Sequence, residues 1–200
     1  MTAEISAHKK PRLLAVWMYG LVVFWVLFDQ GTKWWAETHL TLGVYVPVIG
    51  DLLGWRLIYN PGAAFGLASE FTWVLTIIAV IAVVGLSWFS TTVLHPVWLV
   101  GTSALLGGAV SHLGDRLFRE PGFAIGHIVD FIDYSGYFVG NIADIALVGG
   151  AITLIVASLF APHRPEEETD SEENGQAPAP VKVDAADELS ELPWEKKEEK

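Results

Sequence analysis

Four stretches of this chain are apolar over nearly the length that a helix needs to cross a bilayer, about 20 residues. They are LLAVWMYGLVVFWVLF (13–28), FTWVLTIIAVIAVVGLSWF (71–89), VLHPVWLVGTSALLGGAVSHLG (93–114) and a fourth over roughly 137–160. The basic KKPR before the first stretch resembles the start of a signal peptide. No small-x-small cleavage pattern follows, and the sequence runs directly into DQGTKWW, so the stretch reads as a retained span. Between the first two spans, the alternation in WRLIY followed by Asn-Pro-Gly predicts a short strand or hairpin at the membrane surface.

An even number of spans puts both termini on one side. Lys9, Lys10 and Arg12 before the first span and Arg164 after the last make that side cytoplasmic. Lys33, Arg56, Arg116 and Arg119 then fall outside, against the trend of positive charge, which points to a site rather than to topology.

Composition divides the chain in two. The net charge of −11 sits mostly in residues 165–200, which hold 13 acidic and 4 basic side chains. That segment is polar, acidic and Pro-containing and cannot bury enough apolar surface to fold alone. The predicted organisation is a cytoplasmic N-terminus (1–12), a membrane body (13–162) and a disordered acidic cytoplasmic tail (163–200). With no Lys/Arg cluster beyond KKPR, a nucleic-acid partner is not expected. The absence of cysteine excludes disulfides, thiolate metal sites and a Cys nucleophile.

Polar residues converge at one depth. Asp29 and Lys33 close the first span on its outer end, and Asn60 lies in the first outer segment. His112, Asp115 and Arg116 close the third span, and Asp130 and Asp133 occupy the second outer connection. From a span starting near residue 137, Asp144 falls about two turns in, on the order of 10 Å below the start. Small residues (Ala104 and Gly108, Gly107 and Ser111, Ala146 and Gly150) let the third and fourth helices approach closely. Asn141 and Asp144, at i and i+3, then share a face toward that interface. IGHIVDFI returns Asp130 toward the membrane and brings it near Asp144. Two carboxylates in a low-dielectric site share one proton, so one can accept from water while the other protonates or polarises a carbonyl.

Ser111, His112 and Asp115 do not make a serine triad, because neighbours on one helix lack the geometry. His39, His112 and His127 have no close metal-ligand spacing and read as interfacial hydrogen-bonders. Trp34 and Trp35 read as an aromatic belt.

Five boxes, in order, resemble bacterial lipoprotein signal peptidase, or signal peptidase II. They are DQGTK (29–33), NPGAAFG (60–66), GGAVSHLGDR (107–116), IVDFI (128–132) and GNIAD (140–144). The resemblance implies an all-α membrane fold of four transmembrane helices with a small extracytoplasmic β-cradle. It further implies an aspartic endopeptidase of the bacterial cell membrane, active near the outer leaflet, without metal or cofactor. Its implied partners are membrane lipid and a diacylglyceryl-modified prolipoprotein, cut just before the lipidated cysteine; the expected state is a monomer. Carried over by position, Asp130 and Asp144 are catalytic. Asn60, His112, Arg116 and Asn141 bind substrate, and Asp29, Lys33 and Asp115 support the site. Two positions depart from the family pattern: Ser111-His112 stands where Gly-Asn is usual, and Gly140 where Phe is usual. The second change is expected to open space beside Asn141 and loosen the helix start.

Two other classes fit a membrane chain with an intramembrane carboxylate: an ion-coupled transporter using Asp144, and a non-catalytic scaffold with an acidic tail. Carboxylates near one surface and no repeat between the halves argue against the transporter.

Overall fold

The computed structural model describes residues 2–63 and 67–160, with side chains from Leu13 onward; the predicted acidic tail and Ala64–Gly66 of the second box lie outside them. Element order is α1 (Thr2–His39), β1 (Val46–Ile49), β2 (Leu53–Asn60), a 3-10 turn (Ser69–Phe71), α2 (Thr72–Ser90), α3 (Pro96–Phe118), β3 (Ile128–Tyr134), β4 (Phe138–Gly140) and α4 (Ile142–Leu159). Among the described residues, four helical segments are long and apolar enough to cross a membrane: Leu13–His39, Ser69–Ser90, Pro96–Phe118 and Ile142–Leu159.

α3 is the central helix and the most buried of the four spans. It touches each of the others, and its glycines set how closely. A Cβ on Gly108 would lie 2.8 Å from the Ala143 carbonyl oxygen, and one on Gly150 would lie 2.7 Å from that of Gly101. Those glycines are what allow α3 and α4 to pack backbone to backbone. Gly107 faces α1 instead, where a Cβ would lie 2.6 Å from Trp25 Cβ. The two small-residue stripes of α3 therefore serve different neighbours.

The four strands form one antiparallel sheet in the order β1-β2-β3-β4. The strand expected before Asn60 is β2, paired with β1 in a hairpin. IVDFI, expected only as an apolar return, is the second central strand, because β2 and β4 supply partners for both its edges. Alternation along β3 turns Val129 and Phe131 toward Ala36, Trp35 and Leu57, while Ile128 and Asp130 line a cavity. Trp35 thus leaves the expected aromatic belt: its ring meets those of Trp55 and Phe131 edge-on at 5.5 and 6.4 Å. Trp34 stays exposed.

The fourth span begins at Ile142 rather than near 137, because Phe138–Gly140 pairs with β3 as a strand. Asn141 is consequently the N-cap of α4, outside the helix, and Asp144 occupies its first turn at N3. This corrects both the depth of two turns expected for Asp144 and the shared helix face expected for the pair.

Candidate active site

The two last boxes meet through Asn141. Its side-chain amide nitrogen donates to Asp130 Oδ1 at 2.6 Å and to the Val129 carbonyl at 3.3 Å. Its backbone N–H donates to Asp144 Oδ2 at 2.9 Å, and its Oδ1 accepts the backbone N–H of Asp144 at 3.0 Å. This reciprocal pair is a capping box, which satisfies two of the donors that a helix start leaves open. One residue therefore caps α4 and touches both carboxylates.

Asp130 comes from the centre of the sheet. Its second oxygen accepts from Asn60 Nδ2 at 2.9 Å. Burial pushes its pKa up to about 7, opposed by the Asn60 amide, raised further by the charge of Asp144, and opposed again by the Asn141 amide. Asp144 is the open member: its side chain is 41% exposed, while Asp130 is 2% exposed. Both line a cavity of about 470 Å³ together with Asn60, His112 and Arg116. Away from the sheet its walls are apolar, with Leu75 and Ile78 from α2 and Leu147 and Val148 from α4.

His112 reaches Asn141 Oδ1 with Nε2 at 3.2 Å and lies 3.7 Å from Asp144 Oδ1. Asn141 Oδ1 can only accept, so Nε2 carries the proton in this contact. Ser111 turns the other way, donating its hydroxyl to Asp29 Oδ2 at 2.6 Å. Adjacent residues thus serve different neighbours of α3. No open space lies beside Gly140, contrary to the expectation: a Cβ there would lie 2.9 Å from Asp144 Oδ2. The helix start is not loosened. It carries the capping box and a second donor contact, Ala143 N–H to Asp29 Oδ1 at 2.8 Å.

Behind the carboxylate pair lies a buried charge network. Lys33 Nζ sits 2.5 Å from Asp29 Oδ2 and 2.7 Å from Asp115 Oδ2, with all three side chains almost fully buried. Asp29 therefore links α1 to the first turn of α4, with Lys33 neutralising it. Asp115 also accepts from Gln30 at 2.9 Å and from Arg119 Nε at 2.7 Å, and Arg119 Nη1 reaches Glu37 at 2.6 Å. Arg119 is one of the four outer cations that point to a site, and its i,i+4 spacing from Asp115 is the signal that ties it to that carboxylate, whereas nothing in the sequence singles out Gln30 or Glu37.

Arg116 spends its guanidinium on backbone. Nη1 donates to the carbonyls of Asn60, Pro61 and Gly126 at 3.2, 2.9 and 3.0 Å, and Nη2 donates to that of Gly62. The planar fork fits several carbonyls at once. It holds the Asn-Pro-Gly segment against α3, and Thr72 adds a hydroxyl donor to the Pro61 carbonyl at 2.8 Å. Asn60 tightens the turn by accepting the Gly62 N–H at 2.9 Å. Gly126 must be glycine here, because a Cβ would fall 2.2 Å from the Asp115 carbonyl oxygen.

With this geometry in place, comparison with known proteins decides the family. The family model for signal peptidase (SPase) II matches residues 21–160. This chain belongs to the signal peptidase II family. That family is one of aspartic peptidases, so an enzyme is selected over the transporter and the scaffold. A protein named lipoprotein signal peptidase from Mycobacterium avium is 48% identical over 152 residues, covering 76% of this chain and 83% of that protein. Another of that name, from Mycolicibacterium smegmatis, is 43% identical over 158 residues, covering 79% of this chain and 66% of that protein, just under two thirds of its length. A bacterial membrane enzyme solved by the in meso method superposes with a TM-score of 0.63 at 34% identity, covering 71% of this chain and 87% of that one. A second, solved by the same method, gives 0.62 at 31% identity over 72% of this chain and 93% of that one.

Proposed function

We propose that this signal peptidase II family member is an intramembrane aspartic endopeptidase acting on diacylglyceryl-modified prolipoproteins. It removes the signal peptide by cutting just before the lipidated cysteine. The observation that carries this reading is the pair Asp130 and Asp144, joined through Asn141 at the polar end of an apolar-walled cavity.

The roles divide by environment. Asp130 is buried, with its pKa pushed up to about 7 mainly by burial, and holds the shared proton. Asp144, the exposed member, takes a proton from the attacking water. Water oxygen bonds to the scissile carbonyl carbon while Asp130 gives its proton to the carbonyl oxygen. Asp144 then returns the water's proton to the departing nitrogen, the C–N bond breaks, and Asp130 recovers its own proton as the new carboxyl group forms. Asn60 and Asn141 hold Asp130 in place; Asn60 lines the cavity and contacts substrate there, while Asn141, fully buried, acts from behind the two carboxylates rather than on substrate as expected. His112 contributes through Asn141, and Arg116 shapes the substrate channel through the Asn-Pro-Gly carbonyls it gathers. Asp29, Lys33 and Asp115 fix the α1, α3 and α4 ends that carry these groups. No metal or cofactor takes part.

The apolar lower cavity suits the hydrophobic signal segment, and its continuity with the spans suits a substrate already anchored by acyl chains. The enzyme sits as a monomer in the bacterial cell membrane, both termini cytoplasmic and the site near the outer leaflet; residues 13–162 form the peptidase body. Mass spectrometry of products from a lipidated prolipoprotein peptide in proteoliposomes tests the reading. A single cut on the N-terminal side of the modified cysteine is expected, with no cut in the unmodified peptide. Equal cleavage of both peptides contradicts it.

A further inference from the structure

A second groove lies on the opposite side of α3 from the catalytic cavity. Ala109, His112 and Arg116 face the cavity already described, whereas Val110, Gly114 and Phe118, one helical repeat apart, face α1. Val26 and Gln30 form the α1 wall of this groove, which holds about 360 Å³. It shares Phe118 and Arg119 with a wider cavity of about 610 Å³ at the sheet end of the bundle, lined also by Glu37, Tyr59, Glu120 and His127. From Val26 to Glu37 the helix rises about 16 Å. Val26, Val110, Gly114 and Phe118 make the groove wall mostly apolar, broken by Gln30, Ser111 and Asp115, and the wider cavity beyond it is more polar, the order of polarity along a phospholipid.

Charge at the polar end is net negative. Among the lining side chains Glu37, Glu120 and Asp115 outnumber Arg119, and Arg119 is already committed to Asp115, Glu37 and Gln30. Glu37 Oε1 accepts both Arg119 and the Tyr59 hydroxyl, the latter at 3.4 Å, while among the described residues no hydrogen-bond donor reaches Oε2. An anionic headgroup is repelled by this balance, and an ammonium is attracted to it.

We infer that one phospholipid bearing a headgroup ammonium, of the phosphatidylethanolamine type, binds in this groove. Its acyl chain lies between Val26, Val110 and Phe118, and its ammonium meets Glu37 Oε2. Gly114 leaves the acyl path open, since a Cβ there would meet no atom within 4 Å.

Native mass spectrometry of the full chain in detergent tests this, with additions of phosphatidylethanolamine, phosphatidylglycerol and soluble glycerophosphoethanolamine. One phosphatidylethanolamine is expected to be retained at least tenfold more tightly than either alternative. Gly114→Leu fills open space without a backbone clash and is expected to lower that retention at least tenfold. Glu37→Gln is expected to abolish the preference over phosphatidylglycerol while leaving acyl-driven binding. If Gly114→Leu does not fold, Val26→Trp narrows the same groove from α1. The inference is overturned by equal retention of the two lipids by the unaltered chain, by retention unchanged when the groove is filled, or by headgroup binding as tight as the whole lipid.

Discussion

Asn141 donates its side-chain amide to Asp130 at 2.6 Å and so ties the start of α4 to the centre of the sheet. The same residue gives its backbone N–H to Asp144. Helix capping and dyad geometry are therefore one structure. Asn141→Ala is expected to lower kcat at least 100-fold while costing roughly 1 kcal/mol of stability from the lost cap. Hydrogen exchange at Ile142–Asp144 should rise in step. Near-normal kcat with a frayed helix start would separate the two roles.

The proton on Asp130 sets the pH dependence. With its pKa pushed up to about 7 by burial, and cleavage requiring the protonated form, kcat/KM falls as pH rises through that value. Asn60 favours the ionised form through its amide donor. Removing it in Asn60→Leu raises the Asp130 pKa further, so the alkaline limb moves to higher pH. A pH–rate profile in proteoliposomes checks the direction; a shift toward acid contradicts it. Stability obeys the same linkage: between about pH 4 and 7 the folded state holds a proton that the unfolded chain releases, so this group's contribution falls as pH rises.

Lys33 neutralises two buried carboxylates at once. Lys33→Met leaves Asp29 and Asp115 without their shared cation and is expected to destabilise the fold by about 3–5 kcal/mol. The triple change Asp29→Asn, Lys33→Met, Asp115→Asn removes the charges together and should recover part of the loss. Thermal unfolding in detergent reads both. An unchanged melting temperature for Lys33→Met would mean that the network contributes nothing.

Much of this arrangement was legible in the sequence, but unevenly. Uninterrupted apolar length marks the spans, and small residues at helical spacing mark the α3–α4 contact. Asp144 was placed too deep because Phe138–Gly140 reads as apolar span in isolation; only its pairing with β3 makes it a strand. IVDFI gave no alternation because both faces of that strand are covered, one by α1 and one by the cavity wall. Asn141 showed as a polar residue at a helix, yet its capping role depends on where the helix begins. Gln30 and Glu37 are ordinary polar residues until α1 and α3 are brought side by side, and Arg119 stands out in the sequence only as a cation on the outer side.

In this chain Gly140 lies directly beside the Asp144 carboxylate. In Gly140→Ala the new Cβ lies 2.9 Å from Asp144 Oδ2 and must displace it from the Asn141 N–H. A five- to tenfold fall in kcat, on the order of 1 kcal/mol of transition-state stabilisation, is expected with KM little changed. A change confined to KM would place the glycine in substrate contact instead.

The most direct measurement is single-turnover cleavage of a diacylglyceryl-modified prolipoprotein peptide by the unaltered chain, Asp130→Asn and Asp144→Asn, each folded in proteoliposomes. Cleavage by the unaltered chain and a loss of at least 1,000-fold in both variants is the predicted result. Turnover within tenfold of normal in either variant would contradict the dyad.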